Sequence, residues 1–250
     1  MLTNYVPPLL MLEYVRKQSK LKSVGERPPT HRLWPPCLSP RVSRPHLESD
    51  DIMFAPSDHR PLGAHIWDRE PDGFYVEPFW VSERLFEVEK FTTSVWDPCC
   101  GIGHIAESAC RAGYDVFASD IVDRGYQHQR ACLDFLQCDR PHGANFVFNP
   151  PFDHCEEFAR HALSMIGRND KSKVATIFLQ RRLNAAHWLA DLPLARVYLL
   201  TPRPSMPPGH VILAGEKPGG GTQDFCWLIF SRTHKGPPEL RWLHRDGGRA

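Results

Sequence analysis

The sequence predicts an α/β domain built on a mostly parallel sheet, and three observations carry that expectation. Between residues 74 and 230 short apolar runs alternate with segments of helical period, the pattern of a parallel sheet covered by helices on both faces. The run Phe146-Val147-Phe148 is wholly apolar, as a strand buried on both faces must be. Third, Ser94-Val95-Trp96-Asp97-Pro98-Cys99-Cys100-Gly101-Ile102-Gly103-His104-Ile105-Ala106 reads as a short strand, a turn carrying two glycines, and the start of a helix. Such a turn lets backbone N–H groups approach a ligand with no Cβ in the way.

The elements follow in order. Residues 77–90 suggest a helix with Trp80, Leu85, Phe86 and Val88 partly on one face, feeding a strand at 94–96. A helix at 104–112, a strand at 115–119 and a loop lead to Cys132-Leu133-Asp134-Phe135-Leu136. A strand at 145–148 and a helix at 154–166, with Phe158, Ala162, Leu163 and Met165, come next. They are followed by a strand at 173–179, a helix at 183–189 and a strand at 196–200. A proline- and glycine-rich loop at 201–222 then leads to a strand at 225–230. The last two strands lack an intervening helix, which suggests an antiparallel hairpin at one edge of the sheet.

Residues 1–73 differ in character. Eleven prolines, among them Pro7-Pro8, Pro28-Pro29 and Pro35-Pro36, are interspersed with Arg and Lys and forbid long helices or central strands. The composition is that of a disordered or loosely attached basic tail, and the folded domain is expected to span 74–250. A basic arm that tracks a phosphate backbone is the functional alternative for the tail.

At 250 residues the chain has room for one α/β domain and a tail, and the formal net charge of +1 means that any nucleic-acid-binding face must be local. The eight cysteines form no C-x-x-C pair and no metal-ligand spacing, which points to a reduced, cytoplasmic setting and no metal. No run of eighteen apolar residues and no leader pattern is visible, so no membrane partner is expected. His154, Cys155 and His161 match no established metal spacing and read as a solvated helix face. Gln180-Arg181-Arg182, just past a strand end, could meet a phosphate or a carboxylate, or be plainly exposed. The loop around Arg203-Pro204-Ser205-Met206-Pro207-Pro208-Gly209-His210 falls on the ligand-binding edge of such a sheet and could shape its opening.

Taken alone, Gly101-x-Gly103-x-x-Ala106 also fits a dinucleotide fingerprint, with Asp120 near the distance at which an acidic side chain grips a ribose diol. Asp97-Pro98, between strand and glycines, argues against that reading. A carboxylate there repels a pyrophosphate and holds a ligand that carries an ammonium group.

Asp97-Pro98-Cys99-Cys100-Gly101-Ile102-Gly103 resembles the first motif of S-adenosylmethionine-dependent methyltransferases, and Asn149-Pro150-Pro151-Phe152 resembles the catalytic motif of those that methylate exocyclic amino groups. The order of the motifs resembles that of the adenine-N6 DNA methyltransferases. Tyr75-Val76-Glu77-Pro78-Phe79-Trp80 is similar to their upstream aromatic-Pro element, which closes over the methionine end of the cofactor. The resemblance covers residues 74–160 well and is loose beyond. It implies a Rossmann-like class I methyltransferase fold with a mostly parallel seven-stranded sheet and an antiparallel edge hairpin.

It also implies S-adenosyl-L-methionine as cofactor and DNA as the nucleic-acid partner. Asp97, Pro98 and Cys99 would sit at the methionine end with Tyr75 and Pro78, while Gly101 and Gly103 would admit the cofactor against the backbone. Asp120 would accept both ribose hydroxyls, Asp134 would accept from the adenine amino group, and Ile121 or Phe135 would flank its ring. An Asp after a strand also serves as a helix cap, and for Asp134 that reading stands beside the other. An exocyclic adenine amine donates its lone pair into the ring, so two acceptors on its N–H bonds are needed to localise that pair. The Asn149 oxygen and the Pro150 carbonyl would supply them, with Pro150 and Pro151 stiffening the turn and Phe152 offering a face for the base. An RNA adenine or protein-glutamine methyltransferase uses a similar turn, and a non-catalytic methyltransferase-like subunit is the non-enzyme alternative.

Overall fold

A computed structural model describes residues 73–167, 171–217 and 219–247. The expected tail therefore lies outside the described residues, apart from Gly73. In chain order the elements are α1 (Phe79–Val88), β1 (Ser94–Asp97), α2 (His104–Arg111), β2 (Asp115–Asp120), β3 (Ala131–Cys132) and β4 (Asn145–Phe148). Then come α3 (Cys155–Ser164), β5 (Lys173–Leu179), β6 (Leu194–Thr201), α4 (Gly209–Leu213), β7 (Phe225–Ser231) and β8 (Glu239–His244).

The strands form one sheet in the order β3-β2-β1-β4-β5-β7-β6-β8. The first five strands are parallel, β7 runs antiparallel to both β5 and β6, and β8 is parallel to β6. The period-2 alternation of side chains divides the core cleanly. Val95, Val147, Ala175, Ile177, Trp227 and Ile229 face the side covered by α1 and α2. Trp96, Phe146, Phe148, Val174, Phe178, Leu228 and Phe230 face the side covered by α3.

Helix α1 buries Val81, Ser82, Leu85 and Phe86, a stripe of helical period. The indole N–H of Trp227 donates to the Val81 carbonyl at 3.0 Å, and that of Trp96 donates to the Ser119 hydroxyl at 2.9 Å. The two largest buried side chains thus meet the sheet's apolar demand without leaving a donor stranded.

Three features depart from the sequence expectation. The sheet has eight strands, because Glu239-Leu240-Arg241-Trp242-Leu243-His244 pairs with β6; its half-exposed alternation of charged and apolar residues is an edge-strand pattern. The antiparallel pair β6–β7 therefore sits one strand in from the edge. The helix expected at 183–189 is instead two 3-10 segments, Gln180–Ala185 and His187–Asp191, because Ala186 lies at φ −84°, ψ 65°, outside the helical region.

Past the end of α1, the nearly buried Glu89 carboxylate ties three elements together. It accepts from Lys173 of β5, from Arg196 of β6 at 3.2 Å and from the Tyr198 hydroxyl at 3.0 Å. Glu89→Ala removes the buried anion that two cations and a phenol share, leaving Lys173 the Lys90 carbonyl and Arg196 the Glu239 carboxylate, and is expected to destabilise the domain by about 3 kcal/mol, the lower end of the range for a buried pair broken on one side. Chemical denaturation with an unchanged m-value reads this directly, and a loss within ordinary surface scatter would contradict it.

Candidate active site

The chain winds outward from β1 through β2 to β3, then returns to place β4 on the other side of β1. A crevice opens at the carboxyl ends of strands where the winding reverses, and here it lies beyond β1 and β4. A cleft of about 500 Å³ occupies this position, within the range of small-molecule sites.

Asp97 ends β1 and is fully buried. Its Oδ1 accepts from the Cys99 N–H at 3.2 Å, while Oδ2 has no hydrogen-bond partner among the described residues. Burial, then the nearby carboxylates of Glu77 and Asp120, pushes the Asp97 carboxyl well above the usual range. Asp120 ends β2 and holds the glycine turn in place. Its Oδ2 accepts from the Gly101 N–H at 2.9 Å and its Oδ1 from the Val122 N–H at 3.1 Å, and Arg124 stands 3.8 Å from Oδ1.

A strap across the cleft, residues 73–77, is pinned from the β6–β7 connection. Val76 N–H donates to the Pro207 carbonyl at 3.0 Å, Gly209 N–H donates to the Phe74 carbonyl at 2.8 Å, and Tyr75 bridges Pro208. A Cβ on Gly209 would stand 1.8 Å from the Phe74 ring, so only glycine admits that ring. Arg124 lies over the same ring, its Cζ 4.0 Å from the centroid.

Asn149, just past β4, joins the strap to the sheet. Its Nδ2 donates to the Tyr75 carbonyl at 2.8 Å and to the Glu77 carboxylate at 2.9 Å. A main-chain carbonyl can only accept, which fixes the sense of the amide. Oδ1 is buried with no partner among the described residues, and Asn149 lines the cleft. Glu77 is buried, and desolvation raises its carboxyl to about 7, against the lowering effect of its hydrogen bonds, that from Asn149 among them. The His104 ring, stacked on Phe79 at 4.0 Å, places Nδ1 2.6 Å from the Glu77 carbonyl.

Of the residues expected from sequence, Tyr75, Pro98, Cys99, Gly101, Asp120, Ile121, Asp134, Phe135, Asn149 and Pro151 line this cleft. Asp97 lies buried at the strand end beneath it. Others stand elsewhere or act differently. Pro78 is the N-cap of α1 and Pro150 is buried, and neither belongs to the cleft wall. Gly103, at φ 94°, makes room for Tyr126, whose ring would lie 2.3 Å from a Cβ there, rather than for a ligand.

Phe152 also lies outside the wall. Its ring packs between Tyr75 at 5.8 Å and Phe225 at 5.5 Å, so the face expected to receive a base is already packed against protein. Phe135 belongs mainly to the core, with Trp96, Phe146 and Phe158 around it, whereas Ile121 is 64% exposed. Asp134 both lines the cleft and caps the 3-10 turn Phe135–Gln137, accepting from Leu136 N–H at 3.1 Å.

Arg182 is engaged by the protein itself. It donates to the Phe152 carbonyl at 3.0 Å and to Asp153 at 2.7 Å, clamping the turn after β4. His154 pairs with Glu157 at 3.1 Å and His161 packs edge-on to Phe135. Among the described residues no three His, Cys, Asp or Glu side chains form a metal-binding group. Glu77, Phe74, Arg124 and the 207–209 contact were not singled out from sequence. Glu77 and residues 207–209 did stand inside flagged stretches, the first in the aromatic-Pro element and the second in the loop expected to shape the opening, but their contacts with Asn149 and with the strap carried no local signal.

No protein-family model matches the chain, and no curated protein matches it. Solved structures do resemble it. A type I restriction-modification methyltransferase subunit from Streptococcus thermophilus is 12% identical with a TM-score of 0.47, over 64% of this chain and 45% of that one. A modification subunit of a putative type I restriction enzyme from Vibrio vulnificus YJ016 is 15% identical with a TM-score of 0.48, over 69% of this chain and 47% of that one. A putative RNA methyltransferase from Pyrococcus horikoshii is 16% identical with a TM-score of 0.43, over 61% of this chain and 81% of that one. The chain thus spans less than half the length of each of the two restriction-modification subunits. Its own strand order and the antiparallel β7 make it a Rossmann-like α/β fold of the class I methyltransferase type, the fold class expected from sequence. No helix among the described residues is long and apolar enough to cross a membrane.

The buried carboxylates set the pH dependence of the ligand-free protein. A carboxyl whose pKa is higher folded than unfolded binds its proton more tightly in the folded state, so stability falls as pH rises between the two values. For Glu77 that window runs from 4.5 to about 7, and Asp97 adds to the loss in the same direction. Asp97→Asn should therefore melt above the wild type at pH 8, at about 2–4 °C per kcal/mol recovered, and the advantage should shrink as pH falls. A pH-independent difference, or a lower melting point at pH 8, would contradict the assignment.

Proposed function

We propose that the chain is an S-adenosylmethionine-dependent N-methyltransferase that acts on the exocyclic N6 amine of adenine in DNA. The observation that carries this reading is the Asn149 amide: both donors are directed toward Tyr75 and Glu77, and Oδ1 is left as a buried acceptor with no partner among the described residues. A buried acceptor without a partner is costly, and a substrate N–H would satisfy it. The choice of adenine and of DNA rests on the resemblance of Asn149-Pro150-Pro151-Phe152 and of the motif order to the adenine-N6 enzymes.

The residues present fit the cofactor. Glu77, Asp97 and Asp120 bring three carboxyl groups to one cleft, and the Asp97 Oδ2 has no donor among the described residues, which suits a ligand bearing an ammonium and a sulfonium. When bound, the cofactor supplies an activated methyl group. Asp97, whose Oδ2 has no donor among the described residues, holds positive charge at the end of β1. Asp120, already fixed by two backbone N–H donors, keeps lone pairs for a ribose diol. Ile121 offers an apolar surface for an adenine ring.

Asn149 Oδ1 accepts one N–H of the target amine, and the resemblance assigns the other to the main-chain carbonyl of Pro150, a residue buried outside the cleft wall, so that the amine lone pair is withdrawn from conjugation and left for attack. Tyr75, whose carbonyl holds Asn149, is the ring in the cleft wall, with Phe152 packed behind it. The proton leaves to water after transfer, so no strong general base is required. Arg182 keeps the turn rigid through the Phe152 carbonyl.

Because Val76 and Phe74 keep the strap tied to residues 207–209, Asn149→Ala should leave S-adenosylmethionine affinity nearly unchanged and slow methyl transfer to adenine by about 10²–10³, as for loss of one preorganised polar contact. Calorimetry gives the first quantity; methyl incorporation into DNA, RNA and protein, with the modified residue identified by mass spectrometry, gives the second. Label on glutamine or cytosine, or an Asn149→Ala protein as active as wild type, would overturn the adenine reading.

A further inference from the structure

We infer that Glu77 is a positioning residue for Asn149: its carboxylate, by accepting from Nδ2, helps hold the amide whose Oδ1 is left without a partner among the described residues, and strengthens that oxygen as an acceptor for the substrate amine. The inference rests on the reading of Asn149 as the residue that receives that amine. The geometry begins with the two Nδ2 bonds, one to a main-chain carbonyl and one to a carboxylate. The Tyr75 carbonyl alone would fix which way the amide faces. What Glu77 adds is charge, because an ionised acceptor on the N–H draws the amide toward its polar resonance form and places more negative charge on Oδ1.

The surroundings leave that charge available to act on Asn149. The charged group whose field Glu77 shares is Asp97 at the end of β1, with Asp120 and Cys99 beside Asp97 in the same cleft; His104 on α2 meets the Glu77 main chain, and Arg111 acts on His104. His104 meets the Glu77 main-chain carbonyl rather than its carboxylate, and its imidazole is held below its ordinary pKa by burial. Arg111 lies over Phe79 and pairs with Glu83. Among the described residues no salt bridge to Glu77 is formed, so Asn149 is the side-chain donor that its carboxylate meets.

Burial holds the Glu77 carboxyl up to about 7, so its charge forms across neutral pH. Ionisation as pH rises turns a neutral acceptor into a charged one. Methyl transfer should then increase as the carboxyl ionises, at a pH that the bound cofactor's positive charge shifts below that of the ligand-free protein, the turnover number changing and the Michaelis constant for DNA not.

The test uses the full chain and two readouts. The side-chain amide resonance of Asn149, identified by its absence in Asn149→Ala, is followed by nitrogen-15 NMR from pH 5.5 to 8.5 in wild type and in Glu77→Gln, without substrate. It should titrate near pH 7 in wild type and stay flat in Glu77→Gln. In parallel, with saturating S-adenosylmethionine, whose positive charge lowers the pH at which the carboxyl ionises, the rise in turnover with pH should vanish in Glu77→Gln. That variant should run about tenfold below wild type at high pH, the difference between a charged and a neutral acceptor.

Glu77→Ala, which removes the acceptor altogether, should fall further, and Glu77→Gln should restore part of the loss. An Asn149 resonance that does not move, or moves equally in Glu77→Gln, would overturn the role of Glu77 and leave the amine reading intact. A resonance that titrates in a protein whose Asn149→Ala variant still transfers methyl groups at the wild-type rate would overturn the amine reading and the inference with it.

Discussion

The site depends on a single joint, the donation by Asn149 Nδ2 to the Tyr75 carbonyl and the Glu77 carboxylate. Asn149 belongs to the sheet, at the end of a strand whose four residues are all buried. Tyr75 and Glu77 belong to a strap seventy-odd residues upstream that has almost no regular structure of its own. The joint converts the rigidity of β4 into a fixed position for the strap and uses the strap's acceptors to orient the amide. The 207–209 segment pins the strap from its other side, so residues far apart in sequence meet around one amide.

The electrostatics of the two ends of the domain contrast. Glu89 is as buried as the site carboxylates, yet Lys173, Arg196 and the Tyr198 hydroxyl surround it, and it serves the fold. Among the described residues Asp97 and Glu77 form no ion pair with a cation, burial raises the cost of charging both, Glu77 adds to that cost for Asp97, and one oxygen of Asp97 meets no donor. A fold tolerates such an arrangement because a large, well-packed sheet offsets it. Strain of this kind, concentrated where a ligand would relieve it, is the physical mark of a binding site.

Much of this was legible in the sequence, because the decisive signals are local. Strand ends at Asp97, Asp120 and Asn149 could be placed from short apolar runs broken by Asp, Gly or Pro; Asp97 and Asn149 flank the switch point between β1 and β4, and Asp120 ends the neighbouring β2. What the sequence hid are contacts across long separations. Phe152 reads as a free ring until Phe225, seventy-three positions on, is seen against it. Gly103 reads as a ligand-approach glycine until Tyr126 fills the space beside it. Arg182 reads as an exposed cation, and its partners are the Phe152 carbonyl and Asp153. Strand β8 was missed because an edge strand with alternating charged residues carries little hydrophobic signal.

The central claim is that the cluster of Glu77, Asp97 and Asp120 selects a cationic adenosine ligand over an anionic one. Thermal unfolding of the full chain with S-adenosylmethionine and, separately, with NAD tests it most directly, since a ligand that binds only the folded state raises the melting temperature by mass action. S-adenosylmethionine should raise it in a concentration-dependent way while NAD leaves it unchanged. Equal stabilisation by NAD, or none by S-adenosylmethionine, would contradict the claim.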